Sequence, residues 1–174
     1  SRQQKAKRKK LPRNSDYRAI LQVFPETSLA KKIFGTLENA RIDRRLRATY
    51  RGLVRDLDLM QAHLRANRPF IFDLPIHQVP FELLFQITLC GGATEDARRF
   101  YSQIVSEIEA TIDNYLTPDH KANKTQSFSE KDSQSAVRNP RYPSVADTLM
   151  ATSRVYTLFQ IISHDQQQQK SEET

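Results

Sequence analysis

Tryptophan is absent from this chain, and cysteine, methionine and glycine are scarce, with one Cys, two Met and four Gly in 174 residues. The lone cysteine, Cys90, excludes an internal disulfide, and its place in an apolar run suits a reducing compartment. No apolar stretch approaches the roughly 20 residues that span a bilayer, and no hydrophobic signal core follows the start. The chain therefore reads as soluble and intracellular, and its initial Ser reads as the mark of a fragment or a processed product. Scarce glycine also removes phosphate cradles: Gly91 and Gly92 are the only adjacent pair, and no Lys-Ser/Thr follows them. Length suits one domain with flexible ends, able to bury a core without staples.

Acidic residues are missing from the first thirteen positions, SRQQKAKRKKLPR, which hold seven cations. Outside that arm, 20 basic residues balance 20 acidic ones, so the body is formally neutral and the basic character belongs to the terminus. Residues 1–15 read as a disordered arm. Lys5, Lys7, Arg8, Lys9, Lys10 and Arg13 are its candidate residues for nuclear localisation or phosphate contact.

What is present is helical periodicity. DYRAILQVF, residues 16–24, is a short helix or docking segment stopped by Pro25. Leu29, Ile33 and Leu37 recur every fourth residue behind a Thr or Ser cap. The strongest signal is Ile42, Leu46, Tyr50, Leu53, Leu57, Met60 and Leu64, one continuous stripe that predicts a helix over 40–66 with a buried apolar face. Gly35 and Gly52 weaken these helices or permit a bend, and a single long helix over both segments is the further alternative.

Three prolines, Pro69, Pro75 and Pro80, then predict a crossing loop anchored by Phe70, Ile71 and Phe72. Phe81, Leu83, Leu84, Ile87 and Leu89 predict a short buried helix ended by Gly91 and Gly92. From a Thr94 cap, Ala97, Phe100, Tyr101, Ile104, Val105, Ile108, Ile112 and Tyr115 predict one helix running to Pro118. Residues 117–143 are polar and read as a flexible linker. Ser144 with Asp147 caps a last helix over 144–163, which packs on the 16–116 core, and 164–174 reads as a disordered tail. The fold class is all-α, a bundle of four to five helices.

Chemistry is hard to place on this pattern. His63, His77, His120 and His164 are scattered without catalytic partners, and one cysteine with four isolated histidines matches no metal-ligand spacing. The expectation is no enzyme, no cofactor and no metal. Arginines crowd the 40–66 segment instead. Arg41, Arg44, Arg45, Arg51 and Arg55 form a candidate stripe for phosphates or an acidic partner, with Arg47 beside them. The competing reading pairs them internally with Asp43, Asp56, Asp58 or with Glu107, Glu109 and Asp113.

VPFELLFQI, Val79 to Ile87, resembles the opening of an F-box, a Leu-Pro-x-Glu-Leu-Leu-x-x-Ile run that docks a ubiquitin-ligase adaptor. The resemblance covers nine residues and lacks the downstream leucines and tryptophan; it implies an adaptor-binding module. ATYRGLVRDL, Ala48 to Leu57, resembles the Leu-Tyr-Arg helix of small mitochondrial assembly factors, which helps hold an acyl-carrier partner, with Thr49 in place of the leucine. The residues themselves favour a non-enzymatic protein-interaction module of a nuclear, chromatin- or RNA-associated assembly. The alternative is direct DNA or RNA binding by the arm and the arginine-rich helix. A protein partner is expected, with no membrane; self-association would run through the last helix. Cytoplasmic and mitochondrial matrix locations stay open beside the nuclear one.

Overall fold

The computed structural model describes residues 16–118 and 141–172, with side chains to residue 162. The basic arm and most of the expected linker lie outside the described residues. Seven α-helices follow one another among the described residues: α1 Tyr17–Leu21, α2 Thr27–Thr49, α3 Val54–Ala66, α4 Val79–Leu89, α5 Glu95–Phe100, α6 Ser102–Leu116 and α7 Val145–Glu172. The fold is all-α. It has more helices than the four or five expected because two predicted helices are each broken in the middle.

Four helices make the core. α2 and α6 pack on each other, and each packs on both α4 and α7. Ala30, Ile33, Phe34, Leu37 and Ala40 give α2 a buried face at three- and four-residue spacing. Leu83 and Leu84 of α4, Val105, Ile108 and Ile112 of α6, and Ala151, Val155 and Phe159 of α7 close the interior. Ser144 caps α7 as its sequence predicts: the Ser144 N–H donates to the Asp147 carboxylate at 2.7 Å, and the Asp147 N–H donates back to Ser144 Oγ at 3.4 Å. α7 then continues to Glu172, through residues expected to form a tail.

A polar network runs through the core beside α4. The buried Gln86 side chain donates to Glu82 at 2.9 Å, and its oxygen accepts from both the Thr94 N–H at 2.9 Å and the Thr94 hydroxyl at 3.0 Å. Arg68 closes the network with a two-pronged bond to Glu82, at 2.7 and 2.5 Å. Thr94 is thus held by Gln86 rather than capping α5 through its own side chain. The turn between them needs a left-handed backbone at Gly91, φ 73°, and a positive φ of 139° at Gly92. A side chain at Gly91 would also strike Gln61.

The expected helix from Thr94 to Pro118 breaks at Tyr101, φ −125° and ψ 35°. No glycine or proline marks the break. Asp96 on α5 accepts the Ile71 N–H at 2.9 Å, which ties α5 to the 70–73 segment while α6 aligns with α2 and α7. Of the three expected loop anchors only Ile71 is buried; Phe70 and Phe72 are half-exposed.

Candidate helix-docking face

The predicted 40–66 helix is two helices. α2 ends at Tyr50, φ −119° and ψ 79°, a 3₁₀ turn covers Arg51–Leu53, and α3 starts at Val54. Gly52 sits in that turn with open space around its Cα, so the residue of this stretch that disfavours a helix most marks the fold-back. α3 then runs antiparallel to the end of α2. Arg47 of α2 pairs with Asp58, and Asp43, one turn earlier, meets Gln61, one turn later, at 3.5 Å. Arg47 also bonds Asp43 at 2.7 Å, so a polar seam joins the two helices. Burial works against the Arg47 charge, and the bonds to Asp43 and Asp58 outweigh it, holding the guanidinium above its ordinary range.

The apolar stripe is not core. Neither the turn nor α3 contains a buried residue. Ile42 is 43 % exposed, Tyr50 56 %, Leu53 45 % and Met60 53 %, while Leu46, Leu57 and Leu64 are only partly covered. Helix geometry explains why they can act together. The seam uses 43 and 47 on α2 and 58 and 61 on α3, so in an antiparallel pair the rows one position earlier fall on the same side of it. Those rows are Ile42–Leu46 and Leu57–Met60, the middle of the predicted stripe.

The candidate arginines divide. Arg41 is bound to Glu38 at 2.5 Å and donates to the Pro143 carbonyl at 3.1 Å. Arg41 in turn holds the Glu38 carboxyl below the usual range, helped by the Thr148 hydroxyl. Arg44 is half-buried, with Nη1 lacking a hydrogen-bond partner; burial lowers its pKa against the attraction of Asp113 and Asp43. Arg45 lies over the Tyr142 ring, 5.8 Å from its centre. Arg51 and Arg55 are exposed and have no partner among the described residues. The structure therefore separates Arg41 and Arg45, engaged by Glu38 and Tyr142, and the half-buried Arg44 from the exposed Arg51 and Arg55. Lys5, Lys7, Arg8, Lys9, Lys10 and Arg13 lie outside the described residues.

The sequence reading missed an aromatic cluster. Phe72 packs edge-on against Phe100 with centres 4.4 Å apart and tilts against Phe70 at 5.5 Å, and all three are half-exposed. By contrast, the F-box-like run forms α4, where Val79, Glu82, Leu83, Leu84 and Ile87 face this chain's own interior. The Leu-Tyr-Arg-like run straddles the turn at Arg51–Leu53 and is not one helix. Cys90 is buried, and that burial pushes its thiol pKa up.

Among the described residues no cluster of His, Cys, Asp or Glu is arranged to hold a metal ion, and no helix is long and apolar enough to cross a membrane. The class defined by this geometry is an all-α helical bundle. Comparison with protein-family models, curated proteins and solved structures gives no match for the chain.

Proposed function

We propose that this protein is a non-enzymatic protein-interaction module, acting in a nuclear, chromatin- or RNA-associated assembly, with the basic N-terminal arm for localisation or phosphate contact. One observation carries the reading: the most regular amphipathic stripe in the chain leaves Ile42, Tyr50, Leu53 and Met60 exposed and covers Leu46 and Leu57 only in part. Apolar residues at strict helical spacing that the chain does not bury itself are the signature of an interface.

Direct nucleic-acid binding is the competing reading, favoured by the unpartnered Arg51 and Arg55. Titration against mixed-sequence DNA and RNA at two salt concentrations, with the full chain and a chain lacking residues 1–13, separates the two. The docking reading expects nucleic-acid affinity to vanish with the arm. Affinity that survives the deletion and falls steeply with salt would make the hairpin a phosphate site instead.

A further inference from the structure

An apolar groove runs between the end of α1 with its following turn and the outer side of α7. Ile20, Val23 and Phe24 form one wall and Ala146, Leu149 and Met150 the other, around an open volume of about 540 Å³. The walls are fixed. Phe24 packs edge-on against Tyr156 of α7 with ring centres 4.9 Å apart, and the Tyr156 hydroxyl accepts the Glu26 N–H at 3.0 Å. α1 itself is anchored by the buried Leu21 and by Tyr17, stacked on Phe34 at 5.2 Å.

Going beyond the interaction reading above, and on a different face from its stripe, we infer that this groove is a self-association site. Its occupant is the Val23 corner of a second copy of the chain, related by a two-fold axis. Shape is the first argument. Val23 is 81 % exposed, more than any other large apolar side chain among the described residues. It stands on the rim of a hollow of its own chemistry, so one face carries both knob and hole, as a contact between identical surfaces requires. Along α7 the exposed Ala146, Met150, Ser153 and Thr157 follow at four, three and four residues, and their mostly short side chains let a copy approach closely.

Charge is the second argument. No side chain lining the groove is charged, and Ser153 is its one polar member. The charged residues next to this lining in the chain are Glu26, Asp147 and Arg154. Asp147 is engaged by Ser144, while the exposed Glu26 and Arg154 are opposite in sign and make no ion pair among the described residues. Two copies therefore meet without setting like charges together. Other occupants fit less well. Residues 1–13 bring seven cations and one leucine to a groove with no carboxylate, and residues 119–140 offer only Phe128 and Val137 as large apolar side chains. Nucleic acid would find no cation in the lining. Ile20, Val23 and Met150 alone expose roughly 350 Å², under half of the ~800 Å² that each partner gives a standard interface. The contact is accordingly weak, with a dissociation constant of about 10–100 μM.

Sedimentation velocity on the full chain, from about 5 to 300 μM, tests this. The weight-average mass is expected to rise from one chain toward two. Val23→Glu changes a side chain that the fold leaves in water, so circular dichroism and melting should stay unchanged while the mass stays that of one chain. Met150→Lys should behave in the same way. An equimolar mixture of the two variants should regain association, roughly tenfold tighter than either alone, because a two-fold contact sets position 23 of one chain against position 150 of the other. A single chain at about 300 μM, or association that both variants retain, would overturn the inference, and a mixture that stays monomeric would overturn the two-fold contact. Association kept in Val23→Glu but lost in Leu53→Ser with Met60→Ser would move it to the stripe. Association that appears only after removal of residues 1–13 would give the groove to the chain's own arm. Either result overturns the groove as a self-association site. None of these outcomes removes the exposed stripe as an interface, so the two proposals fail separately.

Discussion

Replacing Leu37 and Leu53 by alanine, one at a time, separates core from docking face on neighbouring stretches of the same amphipathic pattern. Leu37 is fully buried at the centre of α2, so truncation removes its transfer energy and leaves a cavity, costing about 2–5 kcal/mol. Leu53 is 45 % exposed and lies in a turn with no buried residue. Full burial of a leucine stabilises by about 2 kcal/mol, so a half-buried one with no cavity to leave contributes about 1 kcal/mol or less. At roughly 2–4 °C per kcal/mol for a chain of this size, Leu37→Ala should lower the melting temperature by about 10 °C and Leu53→Ala by about 3 °C. Thermal unfolding followed by circular dichroism reads both. A Leu53→Ala loss equal to that of Leu37→Ala would mean that the stripe is core and that the docking face does not exist.

Three further outcomes are expected. Gln86→Leu strands the Thr94 N–H and hydroxyl and leaves Glu82 Oε1 with Arg68 alone, and should cost about 2–4 kcal/mol in urea unfolding; a neutral effect would mean that water already serves these groups. Arg68→Met should cost about 3 kcal/mol by leaving the mostly buried Glu82 carboxylate without its cation, and adding Glu82→Leu should recover much of it. Acid should also destabilise the fold. Arg41 holds Glu38 below its ordinary pKa, and at Asp147 the Ser144 N–H and hydroxyl outweigh burial to do the same. Folded pKa values below the unfolded ones, about 4, mean stability that is complete above that value and lost as pH falls through the folded ones. The urea midpoint should therefore drop between pH 6 and about pH 3, and less so in Glu38→Gln; an unchanged drop in that variant would refute the role of Glu38.

Local signals were legible wherever a residue acts on its own backbone. The α7 capping box at Ser144 and Asp147, the start of α4 at Pro80 and its end at Gly91 and Gly92 all follow from short-range chemistry. So do the buried faces of α2, α4 and α6, because three- and four-residue spacing puts Ile33 with Leu37 and Ile108 with Ile112. The break at Tyr101 had no such signal: no glycine or proline marks it, and Asp96 on the helix before it is bound to Ile71 across the fold. Gly52 hinted at a turn, but a single glycine does not tell a bend from a tolerated helix residue. Among the candidate arginines, whether a cation is paired or free depends on carboxylates brought near by folding, as Asp58 is to Arg47 and Asp113 to Arg44.

By itself the sequence determined the all-α class, most helix positions, the basic terminus and the regular stripe from Ile42 to Leu64, because these are one-dimensional properties of spacing and charge. Only the tertiary structure decided which side of that stripe faces protein and which faces water. Periodicity marks a helix face as needing an apolar neighbour, and it does not say whether that neighbour belongs to the same chain.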